Sequence, residues 1–492
     1  MTAPRRAGLA ALAAGLAVAA LAPAAAGRDA DLVRAHRAAY PAAEHAAARA
    51  SGSEGVQVAY DAARDLQEAL RASGVVSAPC RPLRRALTRY AAGRVLQMEG
   101  VDRPSAADAR RGRAAAEGAR SLVRSSGPAC RGVGGGPAPA RLAMSPGPGE
   151  AFFGAVVARV PPGTDAATLF LDGAAVARAA ARAGRVRFAL DGPEGRHDLR
   201  IDAMRAGRVV HGNHRPGVWL LGANSRRAMA GSRTGQALSA ALARATASGP
   251  RYRAAWVQDL SSGEAAGVNA DALFPATSTV KLGLMAGALE RTGSGALLSA
   301  YDYDFRAIAG WSSNLATNRL LRRLGGAATA RDGLRRLDAQ QSTFPGEYLV
   351  GTELQPALPG GGATAPPPRV SERVTTARDL ARMLYAIHAT AARAPGSRSQ
   401  TGLSAGQGRL LLGWLLASEQ RGDNRGLFAA GAPPGALIAQ KNGWIRSTRL
   451  GAALVYAPRG PVIVVVAAHD ASGVALSQAT ALGTRIGRLS RP

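Results

Sequence analysis

Lysine is almost missing from this chain of 492 residues. Of its 62 lysines and arginines only two are lysine, Lys281 and Lys441, and all the others are arginine. Arginine supplies positive charge as well as lysine does, but its pKa stays above about 12, so it cannot act as a base. The two lysines therefore indicate positions that need an amine able to lose its proton, and both lie in motif-like stretches.

Aromatic residues and dense runs of charge are also scarce. Aromatic side chains make up 4% of the chain, and the net charge of +29 comes from arginines spread along its whole length. Because nucleic-acid-binding domains usually gather their basic residues into a patch, we expect no nucleic-acid partner. We expect instead a monomer with a solvated arginine-rich surface that is drawn to an anionic cell envelope. No metal or organic cofactor is implied.

Long apolar runs are missing except near the N-terminus. Arg5 and Arg6 precede an apolar stretch from Leu9 to Leu21, which is short for a bilayer span, and the small residues Ala24-Ala25-Ala26 follow it. This order predicts a signal peptide over residues 1–27 and a secreted or extracytoplasmic protein. The arginine pair hints at twin-arginine export, so the Sec or Tat route stays open. A retained N-terminal anchor is the alternative.

Cysteine occurs only twice, at Cys80 and Cys130. In an exported chain an even pair predicts a disulfide, which would stabilise the fold by roughly 4 kcal/mol in the chain-entropy model. Two unpaired buried thiols are the alternative.

The hydrophobic pattern changes along the chain and predicts a multidomain protein. Residues 29–128 have apolar residues at helical spacing, whereas short apolar runs between 151 and 222 are separated by Asp172-Gly173 and Asp191-Gly192 turns. After the signal peptide we predict a helical domain at 28–130, a Gly- and Pro-rich linker at 131–150, an immunoglobulin-like β-sandwich at 151–225 and an α+β domain at 226–492.

The last of these domains mixes helices with strands that come from both its ends, which predicts helices around an antiparallel sheet. The predicted helices are Thr234–Ala247, one starting at Ser278, Ser312–Arg323, Thr376–His388, Arg409–Ser418 and Leu476–Leu489. The predicted strands include Tyr252–Asp259, Ala436–Lys441, Gly451–Tyr456 and Val462–Ala467.

A serine and a lysine three residues apart form the clearest reactive pair. Ser278 is predicted at the start of a helix and Lys281 in its first turn, on the same face. A serine beside an amine is a known nucleophile–base arrangement. Partial burial and a second nearby cation are expected to lower the pKa of the lysine.

Three stretches occur in the order Ser278-Thr279-Val280-Lys281, Ser312-Ser313-Asn314 and Lys441-Asn442-Gly443. Ser-x-x-Lys, Ser-Asp-Asn and Lys-Thr-Gly mark class A β-lactamases and penicillin-binding proteins. Over residues of about 230 to 490 the chain resembles this superfamily of serine hydrolases. The resemblance implies a β-lactamase-like fold without a cofactor, and a β-lactam or a peptidoglycan stem peptide as substrate.

The resemblance also implies a role for each motif residue. Ser278 would attack an amide carbonyl and form an acyl-enzyme, and Lys281 would take or relay its proton. Ser312 would pass a proton to the leaving nitrogen, Asn314 would hold the substrate amide, and Lys441 would keep Lys281 neutral and attract a substrate carboxylate.

The substrate-binding residues implied by the resemblance surround the third motif. Asn442 and Gly443 would line the substrate site, with a strand amide after Gly443 completing an oxyanion hole. Arg449 or Arg446 would bind the substrate carboxylate, and Arg449 is nearer the family's arginine position.

Several residues depart from the family pattern. Ser313 replaces the usual aspartate, Asn442 replaces the usual threonine, and only 34 residues separate Ser278 from Ser312, fewer than class A enzymes usually have. The short spacing implies that the helical segment lining one side of the site is reduced. The change to Asn442 implies the loss of one hydroxyl that would contact the substrate carboxylate.

The glutamate that activates the deacylating water in class A enzymes has no clear counterpart. In the run 351–355, Gly351 stands at the glutamate position and Gln355 at the asparagine position. Neither Glu347 nor Glu372 has an asparagine four residues on, and whether Glu353 or Glu347 activates a water stays open.

We therefore expect a secreted serine hydrolase of the class A β-lactamase type. A peptidoglycan D-Ala-D-Ala carboxypeptidase or transpeptidase is the alternative that the missing glutamate favours. A non-catalytic envelope-binding protein is the third, and the intact Ser278 and Lys281 pair argues against it.

Overall fold

The computed structural model describes residues 29–73, 76–102, 105–130, 142–231, 233–293, 295–350, 372–393, 401–418 and 426–490. The predicted signal peptide, the first part of the linker and the stretch 351–371, which contains Gly351, Glu353 and Gln355, lie outside these residues. The described residues form two compact units. One contains the residues up to Cys130 together with Ser313–Leu315 and 348–350, and the other contains the rest.

The first unit is helical, and its helices follow the apolar spacing of the sequence. Tyr60, Ala63 and Leu66 are fully buried along one face, and Tyr40 packs edge-on against Tyr90 with ring centroids 4.8 Å apart. Its long helices are α1 (Tyr40–Ala48), α2 (Gly52–Ala72), α3 (Arg81–Asp102) and α4 (Ala106–Ser126).

The predicted disulfide is confirmed. Cys80 and Cys130 are joined by an S–S bond of 2.02 Å, and both are buried in the core of the helical unit. The bond links the two short 3₁₀ turns that precede α3 and follow α4. It therefore closes the chain around the longest helix pair of the unit.

Two β-sheets pack around a shared apolar core in residues 144–220. Asp172 and Gly173 both have positive φ, of 49° and 87°, as the predicted tight turn requires. The strands are β1 (Met144–Ser145), β2 (Ala151–Phe152), β3 (Ala155–Arg159), β4 (Ala166–Leu171), β5 (Ala174–Ala180), β6 (Arg185–Ala189), β7 (Gly195–Arg205) and β8 (Arg208–Leu220). Their orders are β1-β3-β6 and β2-β8-β7-β4-β5. Strands β2 and β3 are separated by Phe153-Gly154, where Gly154 has a positive φ of 73°.

The C-terminal region is an α+β fold, as predicted. A six-stranded sheet has the order β14-β15-β16-β10-β11-β9, so strands from both ends of the region meet in it. The strands are β9 (Arg233–Thr234), β10 (Tyr252–Asp259), β11 (Glu264–Val268), β14 (Leu437–Ile445), β15 (Thr448–Ala457) and β16 (Gly460–His469), and β12 (Phe274–Pro275) and β13 (Val374–Thr375) form a separate pair.

The helices of this region surround the sheet. They are α5 (Gln236–Ala245), α6 (Lys281–Thr292), α7 (Ala296–Trp311), α8 (Asn314–Arg323), α9 (Gly326–Arg336), α10 (Ala377–Ala391), α11 (Ala405–Leu416) and α12 (Leu476–Gly487). Thr376 caps α10 by accepting a hydrogen bond from the backbone of Asp379 at 3.0 Å, as its spacing predicts. None of the helices in the described residues has both the length and the hydropathy needed to cross a membrane.

A glycine contact fixes the position of α6. A side chain at Gly333 of α9 would collide with the carbonyl oxygen of Gly283 on α6, so only glycine permits this close approach of the two helices. The apolar side chains of α6 that follow Lys281 are fully buried. The helix that begins at Lys281 is therefore held in a tightly packed setting.

Candidate active site

Ser278 lies in a tight turn rather than in a helix. The preceding Thr277 has a positive φ of 50°, an unusual conformation for a β-branched residue, and the backbone N–H of Lys281 donates to Ser278 O at 3.3 Å. The regular helix α6 begins only at Lys281, so the prediction that it begins at Ser278 is wrong. Backbone strain of this kind persists where the surroundings hold it, and it often marks functional positions.

The turn is tied to the fold by short hydrogen bonds. The hydroxyls of Thr277 and Thr279 both donate to Ala276 O, at 2.7 and 2.6 Å, and Ala276 N donates to Arg373 O at 2.9 Å. Ser278 itself keeps partial exposure, while both of its neighbours are buried. The nucleophile candidate is thus presented to solvent on a rigid turn.

Lys281 is fully buried, which is rare for a lysine. Its Nζ donates to the backbone oxygen of Ser312 at 2.7 Å. Because Lys281 starts the helix one turn after Ser278, the same short segment carries both the hydroxyl and the amine. The local sequence therefore places a base candidate next to the nucleophile candidate.

Ser312 connects the two lysines of the chain. Its hydroxyl accepts a hydrogen bond from Lys441 Nζ at 2.8 Å, while its carbonyl accepts the one from Lys281. Ser312 is in the left-handed conformation, with φ 64° and ψ 34°, and ends α7. The prediction that a helix starts at Ser312 is wrong, because the left-handed residue separates α7 from α8 and the new helix starts at Asn314.

Lys441 lies on β14 and is almost completely buried, with 1% of its surface exposed. Its Nζ also donates to Asn442 O at 2.7 Å. Burial lowers the pKa of Lys441 well below its ordinary value, and repulsion from Lys281 acts in the same direction. An amine in this setting releases its proton far more readily than one in water.

Gly443 brings the backbone of β14 against the nucleophile turn. A Cβ at Gly443 would lie 2.7 Å from the backbone nitrogen of Ser278 and would collide with Thr277 Oγ1. Glycine is therefore required for this close approach. The approach places main-chain groups of β14 beside the Ser278 amide, which is the setting that an oxyanion hole needs.

Asn442 and Arg449 have other neighbours. Successive residues of a strand point to opposite faces, so Asn442 lies on the face away from Gly443 and Ser278. An added Cβ at Gly451, its partner on β15, would lie 3.3 Å from Asn442 Oδ1. Arg449 Nε donates to Val474 O at 2.8 Å. The substrate contacts predicted for Asn442 and Arg449 remain predictions.

Asn314 begins α8, and its side chain is engaged. Its Nδ2 donates to Leu349 O at 2.8 Å, just before the stretch 351–371 that the structure leaves undescribed. The predicted role of Asn314 in holding a substrate amide stays a prediction.

Glu347 is bound to an arginine. Arg322 donates to both of its carboxylate oxygens, at 2.8 and 2.7 Å. Both oxygens of this carboxylate are therefore engaged by one guanidinium. Glu372 uses its backbone oxygen to accept a hydrogen bond from the Thr343 hydroxyl.

Asp102 was not among the site residues predicted from the sequence. One of its carboxylate oxygens accepts hydrogen bonds from the Ser313 hydroxyl and from the backbone of Asn314, both at 3.1 Å. The only hint in the sequence is that Ser313 occupies a motif position where an aspartate is usual.

The site combines amines with serine hydroxyls. Two buried amines, those of Lys281 and Lys441, meet at Ser312, and the partly exposed hydroxyl of Ser278 lies one turn before Lys281. A serine hydroxyl both accepts and donates hydrogen bonds, so Ser312 can pass protons. The sequence profile described as the β-lactamase enzyme family matches residues 236–309 and 305–491, which is more than half of the chain. The chain belongs to the β-lactamase enzyme family.

Several solved structures are similar to this chain, and they are named as class A β-lactamases or as PBP-A. An ancestral class A β-lactamase is 23% identical over 51% of this chain and 98% of its own, with a TM-score of 0.40. The putative class A β-lactamase PenP from Rhodopseudomonas palustris is 24% identical over 52% and 97%, with a TM-score of 0.39. A protein named PBP-A is 20% identical over 52% and 95%, with a TM-score of 0.40. The comparison with curated proteins gives no match.

Proposed function

We propose that this member of the β-lactamase enzyme family is a serine hydrolase that opens β-lactam rings through an acyl-enzyme on Ser278. The observation that carries the proposal is the bridge at Ser312, whose hydroxyl is 2.8 Å from Lys441 Nζ and whose carbonyl is 2.7 Å from Lys281 Nζ. This bridge brings the only two lysine side chains of the chain to one serine residue, Lys441 to its hydroxyl and Lys281 to its carbonyl.

In the proposed reaction, Ser278 Oγ attacks the lactam carbonyl carbon while neutral Lys281 takes its proton. The negative oxygen that forms is stabilised by the Ser278 amide and an amide of β14 that follows Gly443. When the carbon–nitrogen bond breaks, the Ser312 hydroxyl gives its proton to the leaving nitrogen. A lysine ammonium then restores the proton of Ser312. Water later attacks the ester and releases the opened ring and free Ser278.

The second candidate is a peptidoglycan carboxypeptidase or transpeptidase that uses the same acyl-enzyme chemistry on a D-Ala-D-Ala stem. The pairing of Glu347 with Arg322 favours it, because it withdraws one candidate base from deacylation. In this case a β-lactam would acylate Ser278 and stay bound.

Covalent labelling tests the proposal. A fluorescent penicillin should label the wild type, and Ser278→Ala should remove the label. Ser239→Ala, on the surface helix α5, is a matched control that should label normally. Label that persists on the Ser278→Ala protein would contradict the nucleophile assignment.

Turnover then separates the two candidates. Steady nitrocefin hydrolysis after the acylation burst supports the β-lactamase. A burst that stalls near one equivalent, combined with release of D-alanine from a stem peptide, supports the peptidoglycan enzyme.

We also propose an extracytoplasmic location, based on the signal-like residues 1–27. Sequencing of the mature N-terminus from fractionated cells tests it. Cleavage near Ala26 supports the proposal, and an uncleaved chain in the cytoplasm contradicts it.

A further inference from the structure

The second motif is held by a carboxylate that comes from far away in the sequence. Asp102 is the last residue of α3, and its Oδ2 lies 3.1 Å from Ser313 Oγ and 3.1 Å from the backbone nitrogen of Asn314. The hydroxyl and the amide both donate, so one carboxylate oxygen binds two consecutive residues of the motif.

This contact lies where a helix needs an acceptor. Asn314 is the first residue of α8, and the first N–H groups of a helix have no partner within the helix. A carboxylate at this end satisfies one of these groups and interacts favourably with the helix dipole. Asp102 therefore takes the part of an N-cap side chain for α8, although it belongs to a different helix, α3.

Asn314 and Leu315 also form hydrogen bonds with residues outside α8. Gln57 Nε2 donates to Leu315 O at 3.3 Å, and Asn314 Nδ2 donates to Leu349 O at 2.8 Å. Ser313, Asn314 and Leu315 thus each accept or donate a hydrogen bond outside α8. The start of this helix is fixed by several independent contacts.

Ser312, which precedes this anchored segment, adopts a costly conformation. The left-handed conformation is unfavourable for a residue other than glycine and persists only where the surroundings hold it. The two lysines hold Ser312 itself, and Asp102 holds the residues that follow. Release of Ser313 and Asn314 would free the backbone to relax and would move the Ser312 hydroxyl.

We propose that Asp102 is a positioning residue of the acyl-transfer reaction, which supplies the carboxylate that Ser313 does not and thereby orients Ser312 and Asn314. The kinetic part of this inference rests on the proposed function. Its structural part, the anchoring of the α8 start, does not.

Exchange of the carboxylate between two positions tests the inference. Asp102→Asn keeps the size of the side chain but weakens the acceptor, and should lower the rate of penicillin acylation about tenfold. Ser313→Asp alone places two carboxylates side by side and should also lower the rate. The double variant Asp102→Asn with Ser313→Asp has one carboxylate again and should recover most of the wild-type rate.

The matched control is Asp108→Asn. Asp108 lies in the first turn of α4 and pairs with the exposed Arg111, so its change should leave acylation within about twofold of wild type. Equal losses for Asp102→Asn and Asp108→Asn, or a double variant that is slower than both single variants, would overturn the positioning role.

Amide hydrogen exchange gives a readout that needs no activity. The Asn314 amide should exchange at least about tenfold faster in Asp102→Asn than in the wild type, while amides in the middle of α6 keep their protection. If penicillin does not acylate the wild type, the proposed function fails. Faster amide exchange at Asn314 in Asp102→Asn would still support the anchoring of the α8 start by Asp102. Unchanged exchange at Asn314 would overturn the inference. Should Asp102→Asn not fold, Ser313→Ala removes one of the two bonds and is read in the same way.

Discussion

Two buried cations of the C-terminal region have different kinds of partner. Arg319 on α8 is completely buried, pairs with the equally buried Asp304 at 3.3 Å and lies 5.5 Å from the centre of the Tyr301 ring. Lys441 on β14 is just as buried, but its hydrogen bonds go to the Ser312 hydroxyl and the Asn442 carbonyl, which carry no charge.

The difference separates a side chain that keeps its charge in the fold from one that can lose its proton. An arginine beside a carboxylate stays protonated and connects helices, because its pKa is too high to change within the fold. Burial and repulsion from Lys281 lower the pKa of Lys441, which can exchange a proton with the Ser312 hydroxyl. The almost complete use of arginine elsewhere in the chain fits this division.

The largest effect is expected when an arginine replaces a reactive lysine. Lys281→Arg should lower penicillin acylation by about 1,000-fold, nearly as much as Lys281→Ala, because a guanidinium cannot accept the Ser278 proton. Stopped-flow labelling measures the rate. Acylation within tenfold of wild type in the Arg variant would remove the base role from Lys281.

The reverse exchange should affect stability instead. Arg319→Lys keeps the charge but loses the planar fork beside Asp304, so the free energy of unfolding should fall by about 2 kcal/mol while acylation of the folded protein is retained. Urea denaturation measures the change.

Arg306→Lys on α7 is the control for this exchange. Arg306 pairs with Asp302 at the surface, so its replacement should change the free energy of unfolding by less than about 0.5 kcal/mol. Equal effects at positions 306 and 319 would mean that burial does not set the strength of these pairs.

The smallest effect concerns pH. The lowered pKa of Lys441 means that, between this pKa and about 10.4, the unfolded chain binds a proton that the folded protein does not. The free energy of unfolding should therefore rise with pH in this window, by at most about 1.4 kcal/mol per pH unit. Lys441→Met should remove that part of the rise. Parallel pH profiles of the two proteins in urea denaturation would show instead that Lys441 keeps its proton when folded.

Periodicity was enough to predict the α+β fold, whereas the residues of the cluster were predicted from the resemblance of three motifs to a known family. Strand β10 was predicted with its observed bounds, and the patterns of β14, β15 and β16 marked their strands to within a few residues. The motif residues Lys281, Ser312 and Lys441 do lie together. The strands follow from local apolar patterns, and the meeting of Ser312 with the two lysines follows from the family resemblance.

The missed features depend on backbone conformation and on distant contacts. The positive φ of Thr277 and of Ser312 cannot be read from a serine or threonine, which rarely adopt it. This is why two helices were predicted to start at residues that lie in turns before them. Asp102 and Ser313 are separated by 211 positions, and a single sequence has no pattern that joins them.

The pairing of β10 with β16 has a consequence for biosynthesis. Tyr252 lies opposite His469, so the central sheet cannot close until β16 has been made. Ser278 emerges from the ribosome some 160 residues before Lys441, and a chain that has not reached β14 therefore carries the proposed nucleophile without the second lysine. Long-range closure of this kind slows folding, and under the proposed function it would also delay acylation until β14, β15 and β16 have been made.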